Sequence, residues 1–444
     1  MKIVIAGAGE VGTHLAKLLS RENQDIILID TNQERLAVMD ATCNLLTLRG
    51  SPISFKVLRE ARVSTCDLFI AVTPEETTNV VACSMAKSLG AKKTVARIDN
   101  YEFMQQDNAG FFSNHGIDVM IYPEYLAARE ILNALERSWV RNWCELHDGE
   151  LIVVGVKIRD NARLAGMQLK ELAGVSHNFH ISAIKRNHET IIPRGNDFIE
   201  SNDILYVTLK REYIDELKDI CGKTKVDIRK VLVMGGSRIA VRLMAMAGDR
   251  YRFKVIEIDR NRCLRLAELC GDCEVIHADA RDIDVLREEG IDEMDAFVAL
   301  TDRSETNILT SLSAKEYGVR KTIAEVEDIQ YISEAEGLNI GTIINKKLLA
   351  SSKIFQMMLD ADVESSKFMA LADADVAEIE VKPKSKVTKG PVKSLSLSHD
   401  MTIAGLIRDG RGMLVDGNTE ILAGDHVVVF CLAGAIHKIE RLFS

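Results

Sequence analysis

The first part of the chain repeats at an offset of 228 positions. Residues 2–7 (KIVIAG) recur as residues 230–235 (KVLVMG). The same offset relates further identities in the first copy, which lie at Val57, Asp67, Phe69, Ala71, Thr73, Asn79 and Gly90. One offset shared by so many positions predicts a duplicated unit of about 220 residues. Any fold for the 444-residue chain must therefore contain two copies of one architecture.

The first part of each copy alternates apolar strands with helical patterns. In the first copy, strands are predicted over residues 3–6, 26–29, 45–48, 68–72 and 94–97. Short, nearly continuous apolar strands that alternate with helices are typical of a parallel sheet covered on both faces. This pattern predicts a Rossmann-like domain at the start of each copy.

The second part of each copy is rich in strands. It opens with a predicted helix over residues 123–135, matched by about 345–359, with a proline near the start of the first of these helices. Strands follow over residues 151–158, 181–185 and 204–209, matched by 376–381, 403–407 and 426–431. We therefore predict an α/β fold in tandem duplication, with two Rossmann-like parallel-sheet domains, each followed by a smaller α+β domain. The predicted domains are residues 1–122, 123–222, 229–344 and 345–444.

A glycine-rich turn follows the first predicted strand and opens a helix. Gly7 permits the tight turn, Gly9 lets the backbone approach a pyrophosphate, and Gly12 lets the helix pack closely on the strand. Asp30 ends the next strand, where its carboxylate can accept both hydroxyls of a ribose. Because Asp30 would repel a 2′-phosphate, the motif favours NAD over NADP, and the ribose of ATP or ADP fits equally well. The predicted cofactor is NAD(H) or ATP/ADP.

Residues after later strands complete this predicted site. Arg97 ends a strand at the edge where a phosphate would lie, and Thr73 and Pro74 can line the same crevice. The alternative is a turn of this shape that binds no ligand. The residues predicted to hold the nucleotide are Gly7, Ala8, Gly9, Glu10, Val11, Gly12, Asp30, Thr31, Arg35, Thr73, Pro74 and Arg97.

The equivalent turn of the second copy departs from the pattern. Ser237 replaces the glycine that lets the backbone approach the phosphates, and Glu325 stands opposite Arg97, with Arg238 as a partial compensation. Glu257 falls opposite Asp30 at an offset of 227, with Asp259 as a nearby alternative. Binding and absence of binding are therefore both open here. The candidate residues are Gly235, Gly236, Ser237, Arg238, Ile239, Glu257 and Asp259.

The repeat, the paired glycine turns and the strand-rich segments together resemble the TrkA family, whose members carry two RCK (regulator of potassium conductance) units per chain. The more specific marks are the Gly7–Gly12 turn with Asp30, residues 71–74 (AVTP) followed by Asn79, and Arg97. The resemblance extends over essentially the whole chain. It implies a cytoplasmic nucleotide-binding regulatory subunit, peripheral on the inner face of the plasma membrane. It also implies a homotetrameric ring that gates a TrkH-type potassium transporter through ligand-dependent conformational change.

Composition narrows the alternatives. The net charge of −10 argues against a nucleic-acid partner, which requires a cationic face. The main rival is an NAD-dependent oxidoreductase, which would need an acid–base group beside the nicotinamide. The ten histidines form no recognisable catalytic set, and His177, His180 and His188 lie among turn signals. A third class is a purely structural scaffold with vestigial nucleotide sites. The presence of Asp30 and Arg97 argues against this class for the first copy. We predict no catalytic residue.

The cysteines do not indicate a metal centre. Cys270 and Cys273 form the only CxxC pair in the chain, and no second ligand pair lies at a suitable spacing. The sequence therefore predicts no metal site.

Overall fold

Strands of three to six residues build a parallel sheet at the start of the chain. The computed structural model describes residues 1–20, 24–187, 189–224, 226–271, 273–362, 366–371, 374–395, 397–432 and 443. The strands are β1 (Lys2–Ala6), β2 (Asp25–Asp30), β3 (Leu46–Arg49), β4 (Leu68–Ala71), β5 (Lys93–Arg97) and β6 (Val119–Ile121). Their order in the sheet is β3-β2-β1-β4-β5-β6. The strand order reverses between β1 and β4, and a ligand crevice is expected at the carboxyl ends of these two strands.

Helices connect the strands of this sheet. β4 (LFIA) is buried throughout, because a parallel sheet covered by helices requires apolar residues on both faces. Asn32 begins the second helix by accepting hydrogen bonds from two backbone N–H groups, those of Glu34 and Arg35. The helices are α1 (Glu10–Ser20), α2 (Gln33–Thr42), α3 (Phe55–Glu60), α4 (Glu76–Leu89), α5 (Gln106–Asn114) and α6 (Pro123–Glu136).

An antiparallel sheet follows α6. Its elements are β7 (Asn142–Leu146), β8 (Leu151–Lys157), β9 (Phe179–Arg186), β10 (Glu189–Ile191), β11 (Ile204–Leu209) and the helix α7 (Ile214–Ile220). The strand order is β10-β9-β11-β8-β7, and the paired strands are antiparallel.

The second copy begins with another six-stranded sheet. Its strands are β12 (Lys230–Met234), β13 (Arg252–Glu257), β14 (Glu274–His277), β15 (Ala296–Ala299), β16 (Lys321–Glu325) and β17 (Thr342–Ile344). The order β14-β13-β12-β15-β16-β17 repeats that of the first sheet strand for strand. The helices are α8 (Arg238–Ala247), α9 (Arg260–Leu269), α10 (Ile283–Glu288), α11 (Ser304–Glu316), α12 (Gln330–Gly337) and α13 (Lys346–Asp362).

A second antiparallel sheet completes the described chain. Its strands are β18 (Ser366–Leu371), β19 (Ala374–Glu380), β20 (Met401–Arg408), β21 (Arg411–Leu414) and β22 (His426–Leu432). The order β18-β19-β22-β20-β21 matches that of the first antiparallel sheet read from its other edge.

The chain forms two compact units that do not coincide with the two copies. The first unit contains residues 1–130 together with two segments of the second copy, 237–246 and 344–362. Within it, α13 packs against α1. The second unit contains residues 131–236, 247–343 and 363–444. Within it, the two antiparallel sheets share one apolar core, to which Leu151 and Tyr206 belong on one side and Val376 and Phe430 on the other.

The predicted fold class is confirmed. All strands that the apolar runs predicted are present, with ends shifted by at most two residues. The apolar runs did not predict β6, β7, β10, β17, β18 and β21, which stand at the edges of the four sheets. These strands escape a search for apolar runs because several are only three or four residues long and outer strands need less continuous apolar character. In the part of the chain that the structure describes, no helix combines the length and hydropathy needed to span a bilayer.

Candidate functional site

The glycines of the first turn have distinct steric roles. Gly7 has φ +112°, and a Cβ there would lie 2.9 Å from the backbone nitrogen of Thr73. A Cβ on Gly12 would lie 1.8 Å from the carbonyl oxygen of Gly7. A Cβ on Gly9 would meet nothing within 4 Å. Gly7 and Gly12 are therefore required by the fold, whereas Gly9 leaves an open approach to the N-terminus of α1.

The Asp30 carboxylate fastens this turn to the end of β2. Oδ2 accepts a hydrogen bond from the backbone N–H of Ala8 at 2.5 Å, and Oδ1 accepts one from the N–H of Asn32 at 2.7 Å. An ionised carboxylate has about four acceptor positions, so lone pairs remain for the hydroxyls of a ribose.

A buried asparagine fixes the opposite wall of the crevice. Asn79, on α4, is fully buried. Its Oδ1 accepts from the N–H of Thr73 at 2.9 Å and from the Thr73 hydroxyl at 2.7 Å. Its Nδ2 donates to the carbonyl oxygens of Thr73 at 3.0 Å and Arg97 at 2.9 Å. All hydrogen-bonding positions of the amide group are thus satisfied, and the ends of β4 and β5 are joined.

Arg97 lies at the carboxyl end of β5 with its guanidinium engaged by neighbouring residues. One nitrogen donates to the carbonyl oxygen of Thr73 at 3.1 Å, and another to the Asp99 carboxylate at 2.8 Å. Its positive charge is therefore at the crevice edge, but it is neutralised in part by Asp99.

The remaining candidates of the first turn are mostly at the surface. Ala8 is buried and Val11 is half-buried, whereas Glu10, Thr31 and Arg35 are exposed. Glu10 forms an ion pair with Lys347 of α13, within the first compact unit. Pro74 is exposed beside Thr73.

The second glycine turn uses the same backbone contacts. Gly235 has φ +98°. Glu257 Oε2 accepts from the N–H of Gly236 at 2.6 Å, and Oε1 accepts from the N–H of Asp259 at 2.8 Å. Asp259 in turn caps α9 by accepting from the N–H of Arg262. Of the two acidic candidates, Glu257 therefore makes the contacts of Asp30, and Asp259 makes those of Asn32.

A cavity of about 230 Å³ lies beside this turn. Asn307 is fully buried and binds Thr301 and the carbonyl oxygen of Glu325 as Asn79 binds Thr73 and Arg97. The charged side chains that line the cavity are Glu257, Arg262, Asp279, Arg281, Asp302 and Arg303.

The three remaining candidates of the second copy lie in the first compact unit. Ser237 directly precedes α8, and Ile239 is buried. Arg238 is exposed, with its guanidinium 3.8 Å from the Asp99 carboxylate. Arg238 is thus placed beside the Arg97–Asp99 pair.

The histidines and cysteines considered as possible ligands or catalytic groups lie in separate parts of the fold. His177 is exposed, and the ring of His180 on β9 lies 3.3 Å from the Ser182 hydroxyl. His188 lies outside the described residues. Cys270 and Cys273 are both half-buried at the end of α9.

The two asparagines that join the strand ends were not predicted to be site residues. Asn79 stood out in the sequence as a repeated residue and as a mark of the family, and the signal that could have identified its role, and that of Asn307, was present. A polar residue that recurs six positions after a repeated threonine, in an otherwise apolar helix face, indicates a structural hydrogen-bond donor and acceptor. The helix-capping residues Asn32 and Asp259 occupy equivalent positions at an offset of 227.

Two parallel sheets with glycine turns, each followed by an antiparallel domain, define a tandem RCK-type protein with Rossmann-like folds. Family models agree over most of the chain: the TrkA-N domain model matches residues 3–123 and 231–346, and the TrkA-C domain model matches residues 153–222 and 376–444. The chain belongs to the TrkA family.

Similar proteins extend over the full length. The Trk system potassium uptake proteins TrkA of Halomonas elongata and Haemophilus influenzae are each 29% identical to this chain, over 100% of it and 99% of the relative. The GsuK channel is similar in fold, with a TM-score of 0.63 at 14% identity, over 99% of this chain and 78% of that chain. A structure of the GsuK channel bound to NAD has a TM-score of 0.61 at 14% identity, over 100% and 78%.

Proposed function

We propose that this chain is a nucleotide-binding regulatory subunit of a potassium-uptake system. The observation that carries the proposal is the first glycine turn in a domain of the TrkA-N family, where Gly9 leaves open space and the Asp30 carboxylate binds the N–H of the adjacent Ala8. The relatives are potassium uptake proteins, and a structural neighbour is a channel bound to NAD, which supports NAD(H) or an adenine nucleotide such as ADP or ATP as ligand.

The residues of the first crevice fit such a ligand. The N–H groups at the start of α1 and the helix dipole would attract its phosphates. Asp30 would accept from its ribose, and Thr73 and Arg97 would border it at the ends of β4 and β5. The whole set proposed from the sequence, from Gly7 to Arg97, remains the proposed site.

The second crevice is proposed as a weaker site. It retains the acidic residue and the asparagine of the first crevice, but Ser237 adds a Cβ where Gly9 has none. Glu325 is buried at the position of Arg97, which places negative charge where a phosphate would need a cation.

The nucleotide would regulate the protein through a difference in its affinity for two conformational states. A ligand shifts a two-state protein only by the amount that it prefers one state over the other. A change from 1:99 to 99:1 requires about 5.5 kcal/mol of such preference, which identical sites in an oligomer can share. We propose a homotetramer at the inner face of the plasma membrane that gates a TrkH-type transporter and catalyses no reaction, with domain divisions near residues 122, 222 and 344.

Titration calorimetry with NADH, NAD, ATP and ADP tests the ligand proposal on wild type, Asp30→Asn and the matched variant Glu257→Gln. We expect Asp30→Asn to weaken binding by at least about tenfold, the equivalent of one lost charge-assisted hydrogen bond, and Glu257→Gln to leave the strongest site unchanged. Absence of binding to wild type would contradict the proposal.

Potassium flux in liposomes that contain the partner transporter tests regulation. We expect flux to depend on nucleotide with wild type, and to require a higher nucleotide concentration with Asp30→Asn. Steady oxidation of NADH with a small oxo-acid would favour the oxidoreductase instead.

A further inference from the structure

Three potential metal ligands meet between the two antiparallel sheets of the second compact unit. His147 follows β7 of the first sheet, whereas Glu378 on β19 and His426 on β22 belong to the second sheet. Nδ1 of His147 lies 2.9 Å from Oε1 of Glu378, and Nδ1 of His426 lies 3.3 Å from the same oxygen. The ligand atoms of the three side chains lie within 4.8 Å of one another.

The carboxylate at the centre of this cluster is poorly compensated. The Glu378 side chain is only 4% exposed, and its Oε2 has no hydrogen-bond partner among the described residues. Within the described chain, its ion-pair partners are the two histidines, with no lysine or arginine within 4.0 Å. Nδ1 of His426 also makes no hydrogen bond there. A buried carboxylate without a permanent cation is costly, and this cost is removed when a metal ion occupies the cluster.

We propose that His147, Glu378 and His426 form a binding site for a divalent transition-metal ion of the Zn²⁺ class. Two imidazoles and one carboxylate are a donor set that Zn²⁺ accepts, with a water molecule as fourth ligand. Zinc–ligand bonds of about 2.0–2.1 Å in a tetrahedron separate ligand atoms by about 3.3 Å. The distances of 2.9 and 3.3 Å between the imidazole nitrogens and Glu378 are close to this value.

Among the residues that the structure describes, the first copy has no equivalent of this cluster. In the two sheets, His426 pairs with Glu380 as Ile204 pairs with Lys157. In the first copy, Ile204 and Gly155 therefore occupy the positions of His426 and Glu378. A Cβ at Gly155 would lie 2.6 Å from the side-chain oxygen of Asn142, so that position does not admit a carboxylate without rearrangement. The site is thus a property of the second copy, completed by one histidine of the first.

A bound ion would link the two antiparallel domains, because its ligands come from both sheets. Metal that binds only the folded state raises the stability of that state. We therefore expect Zn²⁺ to raise the unfolding temperature of the full chain after removal of metal with a chelator.

Calorimetry with Zn²⁺ on the metal-free full-length protein tests the proposal. We expect one equivalent per chain to bind, and Glu378→Gln, His426→Gln and His147→Gln each to weaken binding by more than the roughly 10–100-fold that is typical of outer-shell changes. The His147 side chain is 32% exposed, so His147→Gln provides a variant with little risk to folding. Co²⁺ in place of Zn²⁺ should show the visible absorption of a four-coordinate ion, which the variants should lose.

Control variants test whether Zn²⁺ binds to other side chains of the protein. His399 is exposed in the same domain, so His399→Gln should retain the affinity of the wild type. A double variant, Cys270→Ser with Cys273→Ser, should also retain it. The proposal is overturned if wild type binds no Zn²⁺, if the three site variants bind as wild type does, or if the cysteine variant alone loses binding.

Discussion

At the scale of single residues, an acidic side chain at the end of the second strand of each parallel sheet organises the glycine turn. Asp30 and Glu257 each accept one hydrogen bond from the turn and one from the residue that caps the next helix. The extra methylene of Glu257 leaves both contacts in place. The two turns therefore differ mainly in what lies outside these contacts, at Gly9 and Ser237.

Two glycine substitutions should separate binding from folding. Gly9→Ala should weaken nucleotide binding by about tenfold or more and leave the unfolding midpoint nearly unchanged, since its Cβ meets open space. Gly12→Ala should instead destabilise the protein by about 2–4 kcal/mol, because its Cβ would overlap the Gly7 carbonyl oxygen. Calorimetry and urea unfolding measure the two effects. Equal effects of the two variants on stability would contradict this assignment.

The two buried asparagines provide a matched pair. Asn79→Ala should destabilise the chain by about 2–3 kcal/mol, because the N–H and carbonyl groups of Thr73 lose buried partners. Asn307→Ala should have a similar effect, since its contacts with Thr301 and Glu325 are equivalent. Urea unfolding followed by circular dichroism measures both. A change under about 0.5 kcal/mol in either variant would show that water replaces the lost contacts.

His180 should make the free energy of unfolding depend on pH in the acid range. Burial lowers the pKa of His180 from 6.5 to about 4, so the unfolded chain binds its proton more readily than the folded chain. Its contribution is complete above pH 6.5 and is lost as the pH falls towards 4. As the pH falls from 7 to 4, the free energy of unfolding of His180→Gln should therefore decrease by about 1–3 kcal/mol less than that of wild type. Urea midpoints between pH 4 and 7 test this, with His177→Gln as the exposed control.

At the scale of elements, each antiparallel sheet has an arginine–aspartate pair that holds the turn before β11 or β22. Arg186 binds Asp203 through two nitrogens at 2.9 and 2.7 Å, and Arg408 binds Asp425 at 2.8 and 2.7 Å. Both aspartates are buried. In each pair a guanidinium nitrogen also donates to a backbone carbonyl oxygen, so the arginine joins the end of β9 or β20 to the loop that leads into β11 or β22.

Lysine should not replace these arginines. Arg186→Lys and Arg408→Lys should each destabilise the chain by about 1–3 kcal/mol, because an ammonium group cannot make the paired contacts of a guanidinium. Arg411→Lys, at an exposed position of β21, should change stability by less than about 0.5 kcal/mol. Thermal unfolding compares the three variants. A result in which all three are alike would show that charge alone holds the turn.

At the scale of the whole molecule, the first compact unit is completed by helices from the second copy. The guanidinium of Arg242, on α8, stacks 4.1 Å over the ring of Tyr101, and Lys347 of α13 pairs with Glu10. Ala350 and Ile354 of α13 are both buried. Glu10, a residue of the proposed nucleotide site, and Tyr101 thereby contact side chains that are 337 and 141 positions away along the chain.

A fragment of residues 1–222 should therefore not behave as an independent half. It lacks α8 and α13, so the apolar surface that these helices cover would be exposed. We expect self-association and an unfolding temperature lower by at least about 5 °C. Light scattering after size-exclusion chromatography measures the association, and co-expression of residues 223–444 should reverse it. A monomeric fragment as stable as the full chain would contradict this view.

Much of the fold was predictable from local patterns. Gly7 and Gly12 indicated a strand, a turn and a helix because the positive φ of Gly7 and the close approach of Gly12 to the Gly7 carbonyl oxygen are requirements of the turn itself. The placement of Arg97 at the end of a strand was also predictable, but its pairing with Asp99 and the carbonyl oxygen of Thr73 was not. Arg238 was assigned to the second turn, whereas its guanidinium lies beside Asp99, because the direction of α8 depends on packing and not on sequence position.

The sequence by itself determined the duplication, the two kinds of domain, the glycine turns and the family. These features depend on residue spacing, which a linear pattern preserves. Only the tertiary structure decided that α8 and α13 belong with the first sheet, and that His147 meets Glu378 and His426 across 231 and 279 positions. Such contacts depend on which surfaces of the folded elements pack together. The burial of apolar area that drives this packing is not directional, so the spacing of residues along the chain does not specify which surfaces meet.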